Sequence, residues 1–389
     1  MKTLPSKVQP RLLRKLNERQ VLTALQSHGP MSRAEITRQT GISGPTVTRA
    51  VSALLESRLV EEDAPRAAAI GRPGKRVRLA STHVSVLGIV VGSKRCEVLA
   101  AGLDGQLADE ESEQFETPAS YDGLLGACID HARQLMARRK STVMGLGVSV
   151  PGLINRREGR SLVSPNLHQI DGKNLGDDLR HRLQIHATVL QECHALCLAE
   201  QVYGAAKGVT DFAMLDMTEG LGLGVVHAGR LLQGSSGLAG ELGHITVDVQ
   251  GQPCGCGNRG CLETVATDTA LVRAVNRRLQ TSLNLEQIIA GVQNGELRID
   301  DELNHVLQYL AVAAAAVINI FNPSQLFIHA RLLDAQGDLF QRLLELVAGR
   351  ALGPSLADCQ IIRAAGSKRL GVVAAAIDAA TRNWETGLS

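Results

Sequence analysis

Four residues of metal-ligand type fall close together in this 389-residue chain: His244, Cys254, Cys256 and Cys261, spaced His-x9-Cys-x-Cys-x4-Cys with Gly255, Gly257 and Gly260 interleaved. Any fold must bring them to one point. Three thiolates and one imidazole make the closed tetrahedral set of a structural Zn²⁺, and a site with no open position holds a loop rather than activating water. The glycines let a short backbone bend the three sulfurs together. Clustered thiols of this kind suit a metal in a reducing compartment better than disulfides. Cys96, Cys128, Cys193, Cys197 and Cys359 lie in apolar-patterned segments and are expected in the core.

The length suits two or three compact units, and 44% hydrophobic with 21% charged residues is a globular balance. No apolar run approaches the roughly 18 residues that cross a bilayer. The basic start has no apolar core of a secretion signal, so a soluble cytoplasmic protein without a membrane partner is expected. Net charge is only +2, yet it divides unevenly. Residues 1–80 hold 15 Lys and Arg against 6 Asp and Glu, leaving 26 against 33 for residues 81–389. A small basic module precedes a larger acidic one, as in a nucleic-acid reader joined to something else.

The basic module reads as three helices. Leu16, Val21, Leu22 and Leu25 recur at helical spacing until Gly29-Pro30. Ser32 with Glu35 forms a capping box, and Gly41 ends that short second helix. Ser43 opens a third, with Pro45 in its first turn and Val47, Val51, Leu54 and Leu55 as its apolar stripe. That leaves Ser43, Thr46, Thr48, Arg49 and Ser52 on other faces, the arrangement of a helix-turn-helix whose third helix reads double-stranded DNA. Residues 59–61 and 76–79 alternate like two strands of a wing. Between them Gly71-Arg72-Pro73-Gly74-Lys75 places Arg72 and Lys75 to meet an A·T-rich minor groove.

From Val84 strands and helices alternate. Residues 86–92 and 96–103 read as a hairpin turning at Ser93-Lys94. Residues 143–150, 213–217 and 224–227 are expected strands, and 124–138, 195–204, 267–279, 301–320 and 339–350 expected helices. The period changes along the chain, so an α/β body of two lobes is expected, with boundaries 1–80, 81–195 and 196–389. Gly240–His244 sets Glu241 beside one metal ligand, and Glu263 follows Cys261 by two residues. A metal loop would therefore position two carboxylate acceptors for a hydroxyl-rich ligand. The alternating glycines 220, 222 and 224 are a weaker sign of a phosphate site, because they also occur in hairpins for packing alone.

With these residues in view, the chain resembles the ROK family, which unites sugar kinases with sugar-responsive transcriptional repressors, over essentially its whole length. The resemblance rests on Ser32-Arg33-Ala34-Glu35, Thr46-Val47-Thr48-Arg49, Gly71-Arg72-Pro73, Gly240–His244 and the run from Cys254 to Glu263. It implies a winged helix-turn-helix followed by a body of two actin-like, ribonuclease-H-like lobes with a sugar cleft between them, and homodimers or homotetramers. It also implies a sugar-binding set on Gly152, Asn166, Glu241, His244 and Glu263, with zinc on His244, Cys254, Cys256 and Cys261.

Departures from the family's kinases decide which branch is expected. The first phosphate motif, of form D-x-G-G-T, is Val90-Val91-Gly92-Ser93-Lys94 here, and an apolar Val90 cannot help hold Mg²⁺. The second motif begins Thr218-Glu219-Gly220, where an added carboxylate would face triphosphate oxygens. The catalytic Asn-Asp pair corresponds to Gln191-Glu192, whose carboxylate is one methylene longer. A repressor of carbohydrate genes with no catalytic residues is therefore expected, Glu192 being a degenerate base position. It would bind an inverted-repeat operator and sense a sugar or sugar derivative in the degenerate cleft. A kinase with a DNA-binding extension, and a body that docks a protein instead of a metabolite, are the alternatives.

Overall fold

The computed structural model describes residues 10–62, 75–155 and 158–383. In chain order the first module comprises α1 (Pro10–His28), β1 (Met31–Ser32), α2 (Arg33–Thr40), α3 (Gly44–Glu56), β2 (Val60–Glu62) and β3 (Arg76–Leu79). The capping box forms: the Ser32 Oγ accepts from Glu35 N–H at 3.3 Å and Glu35 Oε2 from Ser32 N–H at 2.7 Å. Gly41 ends α2 in the left-handed conformation, φ 70°, as its sequence position suggested. Beyond the expected two-stranded wing, β1 adds a third strand, in the order β1-β3-β2.

The body continues with β4 (Val84–Val91), β5 (Arg95–Ala101), β6 (Leu107–Glu116), α4 (Tyr121–Arg139), β7 (Thr142–Val150), β8 (Leu153–Asn155), β9 (Arg160–Val163), α5 (Leu175–Leu183), β10 (Ala187–Gln191) and α6 (Glu192–Val202). After these come β11 (Phe212–Asp216), β12 (Gly222–His227), β13 (Arg230–Leu231), α7 (Asp268–Leu279), α8 (Leu285–Gln293), α9 (Asp300–Phe321), β14 (Gln325–His329), α10 (Leu339–Ala348), α11 (Gly353–Ala357), β15 (Gln360–Arg363) and α12 (Lys368–Asn383). Two five-stranded sheets result, ordered β6-β5-β4-β7-β10 and β13-β12-β11-β14-β15. Each is an antiparallel meander of three strands followed by two parallel additions, so the two halves repeat one topology.

Two helices tie the halves together by crossing over. α6 follows the first sheet yet packs on β11 and β12 of the second, whereas α12 follows the second sheet and packs on β4 and β7 of the first. They meet where Gly371 lies so close to Ala195 that an added Cβ would stand 2.0 Å from the Ala195 carbonyl oxygen. Buried Glu200 of α6 reinforces the join, accepting from Ala365 and Gly366 N–H just ahead of α12 at 2.7 and 2.6 Å.

The helix-turn-helix is not on a free tether. Its core residues Val21, Leu25, Val51 and Val77 belong to one apolar cluster with Val84, Leu99, Val372, Ala376 and Ile377 of the body. α9 is long and apolar enough to cross a bilayer by length and composition, but Leu303, Leu307, Leu310 and Val317 bury it in the core of the second half. The five cysteines outside the metal cluster are buried.

Gly371→Ala should lower stability despite the better helix propensity of alanine, because a backbone carbonyl blocks the new methyl. A loss of about 1–3 kcal/mol in urea unfolding is expected, in the range of overpacked cores.

Candidate effector cleft and metal loop

The repeated topology sets two hairpin turns face to face. In the first sheet the β4–β5 turn carries Gly92, Ser93 and Lys94; in the second, the β11–β12 loop carries Thr218, Glu219 and Gly220. They touch directly: Ser93 N–H donates to Glu219 Oε2 at 3.1 Å. Glu219 thus occupies the backbone donor that the first phosphate motif would offer to a nucleotide. Val90, half-buried on β4, adds an aliphatic side chain where the kinase pattern has a carboxylate.

Glu192, in the first turn of α6, does not stand free as a base. Lys368, in the first turn of α12, reaches it at 2.6 Å and Asp216 at the end of β11 at 3.2 Å. Asp216 Oδ1 lies 2.9 Å from His329 Nδ1 and accepts from Thr218 Oγ1 at 2.8 Å. Burial works against charge throughout this cluster, but at Asp216 the Lys368 ammonium and the His329 hydrogen bond overcome it and hold the carboxyl well below its usual range. At Lys368 burial is likewise outweighed, by Asp216 and Glu192, and the ammonium is held above its usual value. Burial pushes Glu192 upward. Asp216, His329 and Lys368 carry no local sequence sign of this role, since the parallel pairing of β11 with β14 sets Asp216 beside His329 and the crossing of α6 and α12 brings Lys368 to them.

One cleft between the halves gathers the other expected ligand residues. Gly152, Asn166, Glu241, His244 and Glu263 all line it, with Gln191, Glu192, Asp216 and Glu219. Gly152 requires its φ of 85° and its missing Cβ, which would meet the Val163 carbonyl oxygen at 2.5 Å. Gln191 donates to that glycine's carbonyl at 3.0 Å. Burial raises Glu241, partly countered by His244 and Gln191.

The metal loop forms the cleft's rim. Gly240 at φ 98° lets the backbone pass against Leu223, and a short 3-10 turn over Leu242–His244 aims the imidazole inward. The Thr246–Cys261 bridge and the Cys254 N–H bond to Asn258, 2.8 Å, close the cysteine loop. The ligand atoms of His244, Cys254, Cys256 and Cys261 lie within 4.8 Å of one another. Cys256 and Cys261 sulfurs are 3.7 Å apart, as are Cys254 Sγ and His244 Nδ1. Tetrahedral zinc with about 2.3 Å bonds to sulfur sets neighbouring sulfurs about 3.75 Å apart, so the four residues fit a divalent ion. Cys254 Sγ also lies 2.9 Å from Glu263 Oε1, and His244 Nε2 lies 3.8 Å from Glu241. Both carboxylates are therefore tied to the loop's geometry.

On the first module Ser43, Thr48, Arg49 and Ser52 are exposed on or beside α3, while Thr46 is half-buried with its hydroxyl 2.9 Å from that of Ser43. Lys75, expected to face DNA, is paired with Glu62 across the wing at 2.5 Å. Arg72 and its loop lie outside the described residues.

Taken together, the fold is a winged helix-turn-helix fused to a two-lobed, kinase-type body with a disabled phosphate end. The chain belongs to the ROK family, matched over residues 86–381, and carries a MarR-family segment over residues 15–68. It is similar to the xylose repressor of Bacillus subtilis, 25% identical over 340 residues that cover 87% of this chain and 88% of that one. The N-acetylglucosamine repressor of Escherichia coli O157:H7 is 24% identical over 377 residues, 94% and 93% of the two chains. Among solved structures, a ROK family transcriptional regulator homologous to the E. coli Mlc protein aligns with a TM-score of 0.77 at 23% identity, covering 95% of this chain and 98% of that chain.

Lys368→Met should leave Glu192 and Asp216 facing each other without a cation. The expected cost at pH 7 is about 3 kcal/mol, the low end for breaking a buried pair, since Lys368 keeps some solvent contact. In the parent the lowered Asp216 contributes stability above its unfolded value of about 3.9 that fades as pH falls toward the folded one. Lys368 contributes stability below about 10.4 that is lost as pH rises through its raised value. Without the ammonium the carboxyls titrate upward, so urea unfolding from about pH 7 to 5 should narrow the gap between variant and parent.

Proposed function

We propose that this chain is a DNA-binding transcriptional regulator, a repressor of carbohydrate uptake or catabolism genes, released by a sugar or sugar derivative in the interlobe cleft. The observation that carries this reading is the unequal fate of the two ends of that cleft. Glu219 and Lys368 fill the phosphate end with internal partners, while Glu241, His244, Glu263, Asn166 and Gly152 keep the other end lined with groups that accept and orient hydroxyls. Transfer of a phosphoryl group needs a metal anchor, an open phosphate cradle and an aligned base. Val90, Glu219 and the Lys368-bound Glu192 withdraw all three. The names of the repressors to which the chain is similar agree with this reading.

DNA contacts fall to α3, through Ser43, Thr46, Thr48, Arg49 and Ser52, and to Arg72 and Lys75 of the wing at A·T-rich flanks. Residues 1–80 serve as reader, with 81–195 and 196–389 as the two lobes. A homodimer or homotetramer in the cytoplasm would pair readers on an inverted repeat. α12 gives the lobes a route to the reader. Its first turn holds Lys368 beside the cleft, and some 15 Å along a helix rising 1.5 Å per residue Asp378 lies 3.9 Å from Arg19 of α1. A sugar that prefers one lobe angle would shift α12, and with it the spacing of paired readers, by its differential affinity.

Zn²⁺ bound by His244, Cys254, Cys256 and Cys261 would fix the loop that carries Glu241 and Glu263. Cys256→Ser should abolish stoichiometric zinc in metal analysis, lower the melting temperature and blunt sugar release.

Glu241→Gln should keep the fold and the affinity for an operator selected from a random duplex pool, yet fail to release it when sugar is added. Deleting residues 1–80 should abolish operator binding altogether. Normal release by the Glu241→Gln protein, or ATP-dependent sugar phosphorylation by the parent, would sink the reading.

A further inference from the structure

The charge of the cleft narrows the class of sugar. Of the residues that line it, five are carboxylates: Glu192, Asp216, Glu219, Glu241 and Glu263. Among the described residues none of the lining is lysine or arginine. Lys368, beside the cleft, is engaged by two of those carboxylates. Of the neighbouring cations, Arg369 pairs with Glu97 at 3.1 Å and Arg331 with Glu286 at 2.7 Å, while Lys94 is exposed on the β4–β5 turn and is not part of the lining. The backbone donor best placed to hold an anion, Ser93 N–H, already serves Glu219. The remaining feature that favours an anion, the N-terminus of α6, begins with Glu192 itself. A phosphate ester at this end would meet carboxylates whose nearby cation, Lys368, is already paired with two of them, and a buried anion without a partner is strongly disfavoured.

We propose that the cleft takes an unphosphorylated sugar, neutral or carrying an amino group, and that Glu219 is the specificity-determining residue that rejects phosphate. The inference rests on the sugar-sensing reading above and sharpens it. Glu219 acts in two ways at once: its charge repels the ester, and its hydrogen bond to Ser93 shuts the cradle between the two hairpin turns. Hydroxyls and an ammonium group face the opposite situation, because ionised acceptors reward donors. A regulator built this way answers to the sugar as it arrives or is released by hydrolysis, before any kinase has acted on it.

Titration calorimetry of the full chain with xylose, glucose, glucosamine and N-acetylglucosamine, each beside its terminal phosphate ester, tests this. At least one free sugar is expected to bind, its ester at least about tenfold more weakly. In Glu219→Gln, which keeps an amide oxygen for Ser93 N–H but removes the charge, the preference for a neutral free sugar over its ester should fall by about tenfold, and an unchanged preference would overturn the role of Glu219. An ester binding as tightly as its free sugar in the parent would overturn the phosphate-rejection proposal while leaving the cleft a sugar sensor. No binding by any sugar or ester would overturn both.

Discussion

The crossing of α6 and α12 is the contact on which the rest of the body depends. Each helix leaves one sheet and packs on the other, so neither half can rotate without dragging the other's terminal helix. The crossing is tight because Gly371 admits the Ala195 carbonyl, and it is fixed at one end by Glu200, whose carboxylate satisfies two backbone donors ahead of α12. Close packing of this kind resists continuous deformation, so the two halves are held at one mutual setting by the same pair of helices.

From that crossing follows the electrostatics of the cleft. It brings the first turns of both helices together, which places Lys368 between Glu192 and Asp216 and converts a position resembling a catalytic base into part of a structural ion cluster. The positions that resemble the family's phosphate motifs are thus occupied by internal pairs, Glu219 with Ser93 N–H and Glu192 with Lys368. The lining that results is acidic, with Glu192, Asp216, Glu219, Glu241 and Glu263 around one cleft, which is the ground for the proposed hydroxyl-rich or cationic ligand.

The metal loop plays a different part. Leu242, Val247 and Leu262 anchor its segment in the core of the second half, while Ile245 and Val249 are exposed. Backbone ties such as the Thr246–Cys261 bridge hold it only locally. A four-ligand ion at His244, Cys254, Cys256 and Cys261 would pin the exposed stretch and help the two glutamates beside it, Glu241 and Glu263, keep fixed positions opposite the sheets.

Much of this was legible in the residues alone, where the determinants are local. The capping box at Ser32, the left-handed Gly41 and the apolar stripe of α3 define the helix-turn-helix through contacts a few positions apart. The metal set is equally local, and the hairpin at Ser93-Lys94 follows from a period of two. Other elements escaped. β6 reads Leu-Ala-Asp-Glu-Glu-Ser-Glu-Gln-Phe-Glu, an edge strand rich in charge, and the alanine-rich α12 shows no strong apolar stripe because both of its flanks are covered. The ion cluster was beyond sequence reasoning for a plainer reason. Lys368 and Glu192 are 176 positions apart, and nothing near either predicts its partner. The sequence by itself determined which groups exist: the metal ligands, the polar face of α3, the carboxylates and the decayed phosphate motifs. Only the tertiary structure decided that α12 returns to the first sheet, and therefore that Lys368 neutralises Glu192 and Glu219 closes on Ser93, because those energies depend on distances that a chain acquires only when its two halves exchange helices.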